Sequence, residues 1–177
     1  MGSKTRRTVV GAGISMALFS FMPAQAQEPF KIGVILPMSG PFASTGRQID
    51  AAIKLYIAQK GNTVAGRKIE VILKDDAGSA DGAKRIAQEM IVNDKVSALV
   101  GMGLTPIAFA VAPIATKAQV PLVVMAAATS AIIKSSPLVL RTSYTTPQVT
   151  TPIAAWAAKE GVKRPMTIVT DYGPGVD

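Results

Sequence analysis

Apolar positions recur along this chain in two rhythms that alternate from beginning to end. Short apolar runs, some with a strict period of two, read as strands, and longer stretches at the three-to-four spacing read as helices. Phe30 to Leu36 is almost wholly apolar, the pattern of a strand covered on both faces. Gly46 to Lys60 follows as a helix, with Ile49, Ala52, Ile53, Tyr56 and Ile57 on one stripe expected to be buried. Arg67 to Lys74 alternates through Ile69, Val71 and Leu73 as a second strand. A helix capped by Ser79 or Asp81 then runs to about Asn93, with Ile86, Met90 and Ile91 inward. Val96 to Val100 is the third strand, and Gly101-Met102-Gly103 turns it into a helix from Pro106 to about Lys117, in which Pro113 predicts a kink or local break. Pro121 to Met125 and Leu138 to Thr142 supply two more strands, separated by a loop from Thr129 to Pro137. Pro147 to Lys159 reads as a helix whose Trp156 is expected to pack on the sheet, and Met166 to Thr170 as a sixth strand.

Strands and helices that alternate in this way predict an α/β fold, a doubly wound parallel sheet with right-handed crossovers. Ligands bind such sheets beyond the carboxyl ends of the strands, where the strand order reverses. With an order of 2-1-3-4 that point lies between strands 1 and 3, flanked by Pro37 to Gly46 and by Gly101 to Thr105. The loop Ala126 to Ser130 lies alongside, and its small residues leave the backbone open to a ligand. Thr105 reads as a helix N-cap and Pro106 as the first helical residue, so free N–H groups point at the same edge.

Composition narrows the chemistry. The 177 residues contain no cysteine and no histidine, which removes thiol nucleophiles, the Ser-His-Asp triad and the common zinc sites. Gly101-Met102-Gly103 begins a dinucleotide fingerprint, but Pro106 stands where its third glycine belongs. No P-loop or nucleophile elbow is present, no cofactor is expected, and the chain is not expected to be an enzyme. Asp75-Asp76 reads as a turn or cap rather than an acid–base pair, because adjacent residues on an extended chain point to opposite sides. Arg141 fits either a carboxylate grip or a structural ion pair. Ser39, Thr105 and Thr129 bring hydroxyls to one edge, suited to a small carboxylate, although each could be only a helix cap. Backbone carbonyls near Ala127 suit an ammonium group.

The net charge of +8 is partly a matter of targeting. Lys4, Arg6 and Arg7 precede the apolar stretch Val9 to Met22, and Ala24-Gln25-Ala26 supplies a small-residue cleavage site. Residues 1–26 thus read as a secretory signal peptide rather than a membrane anchor, with Arg6-Arg7 fitting either the general or the twin-arginine route. The remaining basic residues are scattered and not interleaved with aromatics, so no nucleic-acid partner is expected. The final residues, Thr170 to Asp177, leave a strand end without a covering helix, which suggests a fragment of a larger protein.

Several motifs together carry a resemblance. Lys31-Ile32-Gly33-Val34, Pro37-Met38-Ser39-Gly40-Pro41, Ile72 to Asp76, Leu99-Val100-Gly101, Ala127-Ala128-Thr129, Leu140-Arg141-Thr142 and Asp171-Tyr172-Gly173 follow one another after an exported start. In order and spacing this resembles the periplasmic solute-binding proteins of branched-chain amino acid (Leu/Ile/Val-type) ABC transporters. The resemblance implies a type I periplasmic binding fold, two lobes closing on a ligand. The N-terminal lobe would span 27–145, and 146–177 would be the hinge crossover helix and the start of a second lobe largely absent here. It implies a periplasmic receptor that captures a small amino acid or carboxylate for a membrane permease; the alternative is a ligand-sensing regulatory domain. It places Thr105 at the ligand carboxylate, the Ala127 carbonyl and Thr129 hydroxyl at the ligand ammonium, and Tyr172 on the cleft wall from the second lobe; Ser39 stays a ligand-binding candidate on its hydroxyl alone. The family's serine-rich turn is here Gly103-Leu104-Thr105-Pro106-Ile107, a more apolar surface that fits the relatives taking aromatic carboxylates and other small acids.

Overall fold

A computed structural model describes residues 27–177 of the chain, so the signal-peptide reading and its cleavage site lie outside the described residues. The first strand, β1 (Phe30–Leu36), leads into α1 (Ala43–Lys60). A two-residue strand, β2 (Thr63–Val64), folds back antiparallel on β3 (Arg67–Asp75), a hairpin that the hydrophobic pattern does not reveal. Then come α2 (Ala80–Val92), β4 (Ala98–Gly101), α3 (Thr105–Lys117), β5 (Leu122–Val124), a 3-10 segment at Ser130–Lys134 and β6 (Val139–Arg141). The chain closes with α4 (Thr146–Lys159) and the short turn of helix α5 (Gly173–Val176).

The sheet has six strands in the order β2-β3-β1-β4-β5-β6, parallel throughout except for β2. Its order reverses at β1, as expected, and places the carboxyl ends of β1 and β4 side by side. One face is fully covered. Ala83, Ala87 and Met90 of α2 and Ile107, Val111 and Ala115 of α3 bury Ile35, Leu99, Leu122 and Val124. Gly33 is part of that fit, because a Cβ there would stand 2.7 Å from the Met90 sulfur and 2.9 Å from Leu99. Ser79 caps α2, accepting from the Gly82 N–H at 3.2 Å. Helix α3 runs through Pro113 without interruption.

Among the described residues the other face carries α1 alone. A helix is about 10 Å wide and a strand spacing is about 4.8 Å, so one helix covers roughly two strands. The expected buried stripe is therefore corrected. Ile49, Ile53 and Ile57 are half-buried, while Ala52 and Tyr56 are exposed. Beside α1 the sheet opens into an apolar groove of about 200 Å³ along Ile32, Val34, Val100 and Val123.

Two expectations fail beyond β6. Met166 to Thr170 forms no strand; Met166 and Ile168 are 89% and 94% exposed. A strand needs a neighbour for its N–H and C=O groups, and among the described residues none lies beside this segment. Trp156 does not pack on the sheet either. It is 61% exposed, and α4 has no buried residue.

Candidate functional site

The site is built where the loops after β1, β4 and β5 meet. Gly101 ends β4 with φ +117°, and a Cβ there would lie 2.2 Å from the Ile35 carbonyl oxygen, so only glycine fits. Met102 follows, fully buried, in the left-handed region with φ 59°, an unusual conformation for a residue with a side chain. It is held from both sides. Its N–H donates to the Ile35 carbonyl at 3.1 Å, and its carbonyl accepts from the Ala127 N–H at 3.0 Å. The Met125 N–H donates to the Gly101 carbonyl at 2.7 Å. Gly103 lies so close to Pro37 that a Cβ would meet the ring at 2.7 Å. Three loops are thus laced into one rigid floor.

Thr105 is the first residue of α3 and not its cap; Leu104 occupies the cap position with no side-chain capping bond. The Thr105 hydroxyl is therefore spared from capping. Its oxygen lies 2.9 Å from the Thr129 hydroxyl oxygen, and the two residues are 4% and 6% exposed. Two hydroxyls that share one hydrogen bond use one proton between them. The other proton is left to donate outward, which suits an oxyanion.

Arg141, at the end of β6, organises the opposite wall. Its guanidinium donates to the Ala127 carbonyl, to the Thr129 carbonyl at 2.6 Å and to the Tyr144 carbonyl at 3.2 Å. Burial lowers its pKa and the Asp177 carboxylate raises it, and a guanidinium remains cationic throughout the physiological range. The Ala127 carbonyl, expected to face a ligand ammonium, accepts from this cation.

A cavity of about 430 Å³ sits on this floor, lined among others by Phe42, Leu104, Thr105, Ala127, Tyr144 and Tyr172. Of the expected site residues it brings together Thr105, Ala127 and Tyr172, with Thr129 directly behind Thr105. Ser39 is not among the lining residues. Its N–H donates to the Asp75 carboxylate at 3.3 Å, which also accepts from the Met38 and Ala77 N–H groups at 2.8 Å each. The Ser39 hydroxyl and these amides hold Asp75 below the ordinary carboxylate range. Asp76 is buried and bonds the Gly78 N–H at 2.7 Å, and burial pushes its carboxyl up. The two carboxylates bind turns, as their adjacency predicts. Among the described residues no group of three or more carboxylates is placed to hold a metal ion.

Residues 29–177 match the sequence profile of the family described as "Periplasmic binding protein". This chain belongs to that family. The curated Leu/Ile/Val-binding protein homolog 6 of Brucella abortus is 47% identical over 92% of the chain. The chain spans 42% of that relative's length. Among solved structures, a solute-binding protein of an ABC transporter from Rhodopseudomonas palustris BisB5, in complex with 3,4-dihydroxybenzoic acid, is 58% identical with a TM-score of 0.82. It is covered over 41% of its length by 84% of this chain. A second solute-binding protein of an ABC transporter from R. palustris, in complex with 4-hydroxybenzoate, is 42% identical with a TM-score of 0.81, at 84% and 40% coverage.

These likenesses make the fold that of a type I periplasmic binding protein lobe. Phe42 and Leu104 lie in the loops expected at the ligand edge without having been singled out as site residues, and Tyr144 is a cavity residue that sequence reasoning missed. The available signal was position, since each stands within a few residues of a strand's carboxyl end or of a helix start.

Proposed function

We propose that this periplasmic binding protein chain supplies one half of the ligand site of an extracytoplasmic receptor for an ABC importer. Its ligand is a small aromatic carboxylate of the hydroxybenzoate class, handed on to a membrane permease. The segment 146–177 is the crossover and the opening of a second lobe, a reading supported by the detachment of α4 from the sheet.

The observation that carries the ligand class is the aromatic and apolar lining of the cavity. A benzoate carries the carboxylate without the ammonium. Its ring suits a cavity walled by Phe42, Leu104, Tyr144 and Tyr172, where aromatic contacts add to area burial. The free hydroxyl proton of the Thr105–Thr129 pair and the N-terminal N–H groups of α3 suit its carboxylate. The hydroxybenzoates bound by the two R. palustris proteins point the same way.

The test is isothermal titration of the chain with 3,4-dihydroxybenzoate, 4-hydroxybenzoate, benzoate, leucine and valine. Binding of the aromatic acids with no heat from leucine or valine is expected. Tighter binding of leucine than of any benzoate would overturn the ligand class while leaving the receptor.

A further inference from the structure

The chain's last turn lies across the site. The Asp177 side-chain carboxylate accepts from the Ser130 N–H at 2.9 Å with one oxygen and from the Ser130 hydroxyl with the other. Ser130 immediately follows Thr129, the partner of Thr105. Between them the turn from Tyr172 to Gly175 is pressed onto those threonines. A Cβ at Gly173 would stand 2.7 Å from the Thr105 methyl and 2.8 Å from the Thr129 hydroxyl. Tyr172 and Pro174 then form the outer wall of the cavity. The turn is tied internally by the Gly175 N–H, which donates to the Tyr172 carbonyl at 2.9 Å.

We infer that Asp177 and Ser130 form a latch that holds the Tyr172 turn shut over the cavity. Both oxygens of one carboxylate are engaged by one residue, a two-point contact that fixes orientation as well as distance. Gly173 at the contact lets the turn settle onto the threonines with no side chain between. The wall it seats comes from the segment read as the start of the second lobe. The latch therefore acts between lobes: it lengthens the closed state instead of touching the ligand. Its role in ligand retention rests on the proposed receptor reading; its existence does not.

Two measurements on the whole chain separate these. Amide hydrogen exchange at Ser130, with no ligand, reads the latch alone. Asp177→Ala is expected to speed that exchange about tenfold while leaving Leu99 in the core unchanged. Unchanged Ser130 exchange would overturn the latch. Release of 3,4-dihydroxybenzoate is then followed by stopped flow. Asp177→Ala is expected to release it about tenfold faster, with the association rate within about twofold of wild type. Release at the wild-type rate would overturn the inference. A wild-type chain that binds none of the acids, yet loses Ser130 protection in Asp177→Ala, would uphold the latch and refute the ligand reading.

Discussion

The paired hydroxyls of Thr105 and Thr129 can be dissected with almost no change of shape. Thr→Val replaces the hydroxyl by a methyl on the same branched carbon, here at positions 4% and 6% exposed. A single replacement removes the 2.9 Å bond and leaves the surviving hydroxyl without its partner. The bond contributes about 1 kcal/mol net, and a stranded buried hydroxyl costs about 1–3 kcal/mol. Each single variant should therefore lose about 2 kcal/mol of stability. The double variant strands nothing, since both partners become apolar, and should be no less stable than either single. The double-mutant cycle then gives a coupling of about 2 kcal/mol, with the double variant far from the sum. Urea denaturation followed by circular dichroism measures all four corners at equal m-values. Additive losses would refute the shared bond. The same variants test the site: loss of one hydroxyl donor to a carboxylate costs about 1.5–3 kcal/mol, roughly tenfold to over a hundredfold in Kd for 3,4-dihydroxybenzoate. Unchanged affinity in both single variants would remove the pair from the site.

Three further predictions concern the floor and walls. Gly101→Ala forces a Cβ to 2.2 Å from the Ile35 carbonyl oxygen at φ +117°, and should cost more than about 3 kcal/mol, read as a lost or sharply lowered thermal transition. Arg141→Met abandons the Ala127, Thr129 and Tyr144 carbonyls and should cost about 2–4 kcal/mol and abolish hydroxybenzoate binding; Arg141→Lys should not restore it, because one ammonium cannot span the set. Asp76 and Asp75 should oppose each other in pH dependence. Burial raises the Asp76 pKa in the folded state, so its contribution is full below the unfolded value near 3.9 and lost as pH rises through the folded value. Asp76→Asn should raise the urea midpoint at pH 7 and gain nothing in acid below that value. The Asp75 pKa is lowered, so its contribution is present above the unfolded value and lost as pH falls through the folded one. Asp75→Asn should destabilise at pH 7 and converge with wild type in acid.

Strand order was legible because each β–α repeat carries its own periodicity and the crossover rule leaves few arrangements. What stayed hidden depends on distance across the fold. The stripe on α1 has the right spacing, but spacing cannot tell whether a second helix shares that face of the sheet. Met166 to Thr170 has strand composition, but composition cannot supply a neighbouring strand. Thr105 stands at a helix start with capping chemistry, and the cap fell one residue earlier. That shift of one residue matters, because a hydroxyl spent on capping would have no proton to offer.

Arg141 is the instructive case. In the sequence it is a lone arginine ending a strand, equally suited to an ion pair or a carboxylate. Its actual partners are carbonyls; strand order puts the end of β6 beside the loop after β5, but no linear pattern says which atoms of that loop the guanidinium reaches. The Ala127 carbonyl keeps its place on the cavity wall while bound to a guanidinium, which puts positive charge behind that wall. Bond count would still allow the carbonyl a second donor, since an oxygen has two lone pairs. Leu140-Arg141-Thr142 belongs to the pattern that carries the family resemblance, so Arg141 builds the wall, and discrimination between ligands is left to the side chains that line the cavity.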